Sequence, residues 1–163
     1  PSQGRSKNVG LRANLWKDDL THLELKPVLT VSSQTSLRVA IETMQAAASG
    51  YLLICDDGRL CGIFTERDLI KRVLTQGVGL DEAVAPYLTA NPMTIRRSDS
   101  VGWAIRTMDR GHYRHLPVID EGGRPVGVLS VKNIVHYLVE HVPSAVYNLP
   151  PKPGQIQGAR EGA

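Results

Sequence analysis

Thr65 and Asp68 stand three residues apart, where the apolar stretch Gly62-Ile63-Phe64 gives way to a segment of helical periodicity. A hydroxyl and a carboxylate at a passage from strand to helix can do two kinds of work. Together with the unpaired amides of the first helical turn, Thr65 can face an anionic ligand. Asp68, whose oxygens only accept, can hold both hydroxyls of a ribose diol. The pair can equally serve the backbone alone, because Thr-x-x-Asp is also a capping-box pattern. The same arrangement returns as Ser130-Val131-Lys132-Asn133. Asn caps helices well, but it is neutral and a weaker double acceptor for a diol.

Other chemistries find little support. Four of the five histidines, His112, His115, His136 and His141, crowd the second half of the chain. His112 and His115 precede a strand, lack a carboxylate at ligand spacing, and belong to a different element from His136 and His141, so no metal site is expected. Cys55 and Cys61 flank a turn at Asp57-Gly58, and a bridge between them would close only a tiny loop. Free thiols in a reducing compartment are the expectation. The chain has no Gly-x-Ser-x-Gly elbow, P-loop or dinucleotide fingerprint, and the reading is therefore not an enzyme.

The chain has 163 residues, 42% of them hydrophobic, 21% charged and 5% aromatic, which suits one soluble domain or two small ones sharing an aliphatic core. A net charge of +3 is scattered over every segment, and nucleic-acid binding is not expected without a basic face interleaved with aromatics. The longest apolar run, Tyr51 to Cys55, is far below the roughly 20 residues of a membrane span. No signal peptide opens the chain, and the expected location is cytoplasmic.

The elements that must position Thr65 and Asp68 are written twice. Thr30-Val31, Ser36-Leu37, Ala40-Ile41 and Thr43-Met44 recur in order and at constant offset as Thr94-Ile95, Ser100-Val101, Ala104-Ile105 and Thr107-Met108. Ile54-Cys55-Asp56 answers to Val118-Ile119-Asp120. After one extra residue in the turn Glu121-Gly122-Gly123, Arg59, Gly62, Thr65 and Leu69 answer to Arg124, Gly127, Ser130 and Ile134. Each copy reads as a short strand, a helix, two strands joined by a tight turn, and a second helix. That second helix is expected to turn Leu69, Ile70, Val73 and Leu74, or Ile134, Val135, Leu138 and Val139, inward. The fold class is thus α/β (α+β), two tandem β-α-β-β-α repeats packed with pseudo-two-fold symmetry and leaving two similar clefts at the seam. The divisions are an N-terminal extension 1–25 with Leu11, Leu15 and Trp16 as a packing stripe, repeat 26–76, connection 77–90, repeat 91–141, and a flexible tail 142–163.

Gly62-Ile63-Phe64-Thr65-Glu66-Arg67-Asp68-Leu69 and Tyr113-Arg114-His115-Leu116-Pro117-Val118-Ile119-Asp120, recurring in register, resemble a cystathionine-β-synthase (CBS) domain pair, or Bateman module, over about residues 26 to 141. The resemblance implies a regulatory module binding AMP, ADP, ATP or S-adenosylmethionine between the repeats, with no covalent cofactor. It also implies a homodimer shaped as a flat disc that signals to a protein effector by changing conformation. It brings the Asp of one repeat to the strand entrance of the other, so that Asp68 faces Arg114 and His115. Arg114 would then supply a fork of donors for phosphate oxygens, with Mg as an accompanying ion, and a nearby anion would favour protonated His115. By the same resemblance Thr89, Asn91 and Met93 edge the adenine. The opposite cleft, with Ser130, Asn133, Tyr51 and Gly50, lacks these groups and is expected empty or weakly occupied.

Blander readings stand beside these. Met93 can be core filler and Arg114 a solvated surface charge. The whole pair can be a structural dimerisation or scaffold module with empty clefts. Pro1 stands where a starting Met is expected, which leaves open a longer chain whose catalytic domain the module would regulate.

Overall fold

The computed structural model describes residues 14–141. Leu11 and the tail 142–163 lie outside the described residues. In the first repeat, β1 (Thr30–Val31) runs parallel to β2 (Tyr51–Asp56). β2 pairs antiparallel with β3 (Arg59–Thr65) across the Asp57-Gly58 turn, where both residues take positive φ, 53° and 78°. In the second, β5 (Ile95–Arg96) runs parallel to β6 (His115–Ile119), which pairs antiparallel with β7 (Pro125–Ser130). Both hairpins slip register at the same place, between Ile54 and Cys55 and between Val118 and Ile119. A bulge at equivalent positions supports true duplication.

Helices α1 (Leu37–Ala46) and α3 (Val101–Gly111) begin alike. Ser36 accepts from the Val39 amide at 3.2 Å and Ser100 from the Trp103 amide at 3.0 Å, each filling an orphan donor of the first turn. The helices that close the repeats differ. α2 starts as a single turn, Glu66–Asp68, and continues as a π-helical stretch, Leu69–Leu74; α4 (Val131–His141) is regular. The i to i+5 pattern persists at the end of α2, where Thr75 N donates to Ile70 O. Such wide turns recur at functional sites.

The two repeats exchange their leading segments. β4 (Thr89–Ala90), which leads into the second repeat, pairs with Gly62 and Ile63 of β3 in the first. The equivalent stretch around Lys26 pairs with Val128 of β7 in the second, through bonds of 2.9 and 3.1 Å. Leu20 and Leu23 are buried in the second core with Leu116, Val118 and Tyr137, whereas Val84 is buried in the first core with Phe64 and Val73. A third cluster joins Tyr51, Leu53 and Ile63 to Val128 across the seam. Neither half completes its core without the other, as expected for units of this size.

The closing helices turn inward only part of what periodicity suggested. Val73 and Ile134 are buried, and Leu69 and Leu138 pack partly against the cores. Ile70, Leu74, Val135 and Val139 are exposed instead, at 55, 57, 54 and 36%. Four neighbouring apolar residues make a stripe wider than one sheet can cover. Leu15 packs partly on the second core, and Trp16 lies over Gly102 with the Arg106 guanidinium 4.9 Å from its ring.

Candidate functional site

Where β3 ends, the backbone must change from strand to helix. Thr65 sits there with extended φ and ψ of −120° and 168°, and its hydroxyl accepts from the Asp68 amide at 3.3 Å. Asp68 returns the bond, its Oδ2 accepting from the Thr65 amide at 3.0 Å and the Thr65 hydroxyl at 3.1 Å. The capping box is therefore real. It also fixes the carboxylate rather than using it up, because Oδ1 points away from the box. Oδ1 accepts from the Thr89 hydroxyl at 3.2 Å and lies 3.5 Å from Arg72 Nε. Asp68 is 7% exposed, so this carboxylate is held almost out of water by hydrogen bonds and an ion pair.

Above it opens a cleft of about 750 Å³. Thr65, Asp68, Thr89, Asn91, Met93, Arg114 and His115 all line it. They come from separate stretches of chain: the start of α2, the crossing strand β4 and its exit, and the start of β6. Asn91 holds a left-handed φ of 49° directly after β4, which turns the chain along the cleft edge. Met93 is 48% exposed, so it is not core filler.

Sequence reading missed several lining residues. Glu66 and Arg67 lie within the Thr-x-x-Asp turn itself, and their position was the available signal. His112 and Tyr113 precede Arg114. His112 takes a left-handed φ of 54° at the end of α3, and a Cβ on Gly111 would stand 2.0 Å from the Tyr113 ring. No pattern in the sequence announced that turn. Gly50, assigned from sequence to the opposite cleft, lines this one. His112 and His115 thus share a cleft, but no group of three or more His, Cys, Asp or Glu among the described residues could hold a metal.

The charges around the cleft are uneven. Asp68 is paired with Arg72, which leaves Arg67 and Arg114 against the carboxylate of Glu66. His115 is half-buried, and burial, Lys26 and Arg114 together hold its imidazole below the usual histidine value, against an upward pull from Glu66. It packs on Tyr51 of the other repeat, ring centroids 4.9 Å apart.

The second passage from strand to helix has different wiring. Asn133 Oδ1 accepts from the Ser130 amide at 2.7 Å and hydroxyl at 3.0 Å, repeating the Asp68 half of the box. Its Nδ2 donates to the Glu24 carbonyl at 2.5 Å. Ser130 is buried, and Tyr51 is buried with its hydroxyl donating to Pro27 O at 2.8 Å. These side chains serve the fold, and none of the three lines the large cleft.

A crossed pair of strand-helix repeats with one cleft at the seam defines a class, and comparison with known proteins gives it a family. A model of the CBS domain matches residues 20–75 and 84–140, so the chain belongs to the CBS domain family and carries two of its repeats. The matched spans open on the exchanged segments 20–26 and 84–90. The CBS domain-containing protein CBSCBSPB1 of Arabidopsis thaliana is 32% identical over 116 residues, covering 70% of this chain and 21% of that protein. The chain thus spans about a fifth of that relative's length. Among solved structures, a CBS-domain containing protein of Agrobacterium tumefaciens is 34% identical with a TM-score of 0.61, covering 68% of this chain and 89% of that one. The CBS domain pair of protein MJ0100, in complex with 5′-methylthioadenosine and S-adenosyl-L-methionine, is 27% identical with a TM-score of 0.63, covering 75 and 97%. CBS domain pairs are regulatory modules, not enzymes. No helix among the described residues is long and apolar enough to cross a membrane.

Proposed function

We propose that this CBS pair binds a phosphate-bearing adenosine, such as AMP, ADP or ATP, in the Asp68 cleft and passes the state of that cleft to a protein effector through a homodimer. The observation that carries the reading is the convergence of an acceptor wall, Asp68 and Thr65, with a donor wall, Arg114 and His115, on one cleft of about 750 Å³. Volumes of this order suit a small organic ligand. A ribose diol matches the Asp68 oxygens, and phosphate oxygens match the Arg114 fork. Thr89, Asn91 and Met93 then edge the base. The MJ0100 pair, which holds two adenosine compounds, supports the adenosyl part. Arg67 and Arg114 favour phosphate over a sulfonium. The free thiols of Cys55 and Cys61, the former pushed up to about 11 chiefly by burial, fit a cytoplasmic setting.

Support for the dimer comes from apolar side chains exposed at equivalent places on both repeats: Val39, Ile70 and Leu74 on one, Trp103, Val135 and Val139 on the other. A two-fold contact using both faces would cover them together. One observation favours a second reading, a scaffold with empty clefts: the Asp68 oxygens already have partners within the chain.

Thermal unfolding with AMP, ADP, ATP and S-adenosylmethionine decides between the two. A ligand that binds only the folded chain at about 100 times its Kd adds roughly 2.7 kcal/mol, which moves the midpoint by several degrees. The phosphate-bearing nucleotides are expected to give this shift and S-adenosylmethionine a smaller one. No shift with any of them would favour the scaffold.

A further inference from the structure

The two repeats solve one problem in two ways, and the difference singles out a residue that no lining or motif argument reaches. In each repeat a carbonyl of the exchanged segment needs a donor. Glu24 O, in the second passage, receives the Asn133 amide directly. The first passage presents a different carbonyl, Leu88 O, beside Thr89 and Asp68; Thr89 pairs with Ile63 as Lys26 pairs with Val128, so Leu88 answers to Leu25. Asp68 has no hydrogen to give, so the carbonyl is taken by Arg72 NH1 at 2.8 Å instead. The same guanidinium places Nε 3.5 Å from Asp68 Oδ1. One arginine, four residues after the aspartate on the π-helical part of α2, thus replaces the lost donor and neutralises the added charge. Its position in the second repeat is held by Tyr137, whose hydroxyl donates to Asp18.

We infer that Arg72 is the positioning residue of the nucleotide cleft: it holds the Asp68 carboxylate aimed while tying the crossing strand β4 to α2, so that diol recognition depends on a side chain outside the cleft. The inference rests on the adenosine reading of the Asp68 cleft. Its physical core is that a buried carboxylate needs a cationic partner, where a buried amide needs only hydrogen bonds. Asp costs the fold an arginine that Asn would spare, and the acceptor chemistry of Asp68 is what that arrangement preserves. Arg72 is half-exposed and does not line the cleft, so replacing it removes no group from the cleft walls.

The experiment uses the full chain and four proteins: parent, Arg72→Gln, Asp68→Asn, and the double variant. Each is melted, and each is titrated calorimetrically with AMP and with 2′-deoxy-AMP. Arg72→Gln is expected to lower the melting midpoint by about 3–8 °C, to weaken AMP about tenfold or more, and to bring the preference of AMP over its deoxy analogue close to one. A merely structural role would weaken both nucleotides alike and leave that preference intact. Asp68→Asn removes the charge that Arg72 pairs with. In the double variant it is expected to restore the midpoint but not the AMP affinity. Arg72→Lys, which keeps the charge and loses the fork, is expected to recover part of both. If Arg72→Gln binds AMP with parental affinity and preference, or if it costs as much stability beside Asn as beside Asp, the inference is overturned. A parent that binds neither nucleotide defeats the adenosine reading instead, and the melting cycle still decides whether Arg72 answers to the Asp68 charge.

Discussion

The strand-to-helix passages at Thr65 and Ser130 share a hydroxyl, a three-residue spacing and a side-chain oxygen that accepts from the first residue's amide and hydroxyl, and the telling difference is one substituent. Asp68 has an oxygen where Asn133 has an amide nitrogen. That change decides what each can face. Asn133 saturates itself on the backbone of the exchanged segment, Nδ2 on Glu24 O. Asp68 draws Thr89 and Arg72 toward it and stays an acceptor on the wall of an open cleft. Duplication thus gives the second copy a structural joint and the first copy a binding surface, with the same backbone beneath both.

The sharpest way to break this comparison is to delete both side chains and measure separately what is lost. Asp68→Ala should weaken AMP by about tenfold to a hundredfold, the effect of removing hydrogen bonds to a charged group. Asn133→Ala should leave affinity within about twofold while lowering stability by roughly 1–3 kcal/mol, because the Glu24 carbonyl and the Ser130 amide lose their partner. Calorimetry and urea unfolding on both variants check this. Equal losses of affinity would mean that the repeats do not differ in role.

A second comparison concerns the glycines over which the exchanged segments pass. A Cβ on Gly62 would lie 2.5 Å from Leu88 Cδ1 and 2.9 Å from the Thr89 carbonyl oxygen. One on Gly127 would lie 2.8 Å from Leu25 Cδ1 and 2.9 Å from Leu25 Cβ. Backbone gives way less readily than a side-chain tip, so Gly62→Ala should cost more, about 1–3 kcal/mol, and Gly127→Ala less. Only Gly62→Ala should also weaken AMP, since β4 carries Thr89. Unfolding midpoints paired with AMP titrations separate the two, and a larger stability loss at Gly127 would reverse the assignment.

What sequence could and could not show follows the same division. Anything set by local chemistry was legible: the turns at Asp57-Gly58 and Glu121-Gly122-Gly123, and the duplication that aligned them. The seven residues expected to converge do line one cleft. Five of them sit close to a repeated landmark, and the family resemblance supplied the crossing. The exchange of segments 20–26 and 84–90 was not legible, because an apolar Leu20 or Val84 says it is buried but not in which core. Gly50 was assigned to the opposite cleft for the same reason, as strand polarity alone does not say which seam a strand entrance faces. Arg72 was invisible because its meaning depends on the Leu88 carbonyl, a backbone atom that sequence does not locate. The helical stripe failed differently: Ile70 and Leu74 have the spacing of core residues, yet the sheet beneath covers only the Val73 side.

The smallest expected effect compares the tilted ring pair that meets across the seam, Tyr51 and His115. Burial raises the Tyr51 phenol above its usual value, so Tyr51 stays neutral through the physiological range. Burial first, then Lys26 and Arg114, lower His115, with Glu66 opposing. The unfolded chain therefore binds the His115 proton more tightly than the folded one. Stability from this residue is present above the unfolded histidine value of about 6.5 and is lost as pH falls below it toward the lowered folded value. His115→Gln should flatten stability between about pH 5 and 7, whereas Tyr51→Phe should leave that slope unchanged. A phosphoryl group beside Arg114 reverses the balance at His115, since an anion favours the imidazolium. AMP binding near pH 6 should then take up protons, read as a calorimetric enthalpy that varies with the ionisation enthalpy of the buffer, and His115→Gln should abolish that variation. Proton uptake that survives the substitution would place the titrating group elsewhere in the cleft, with His112 the next to test.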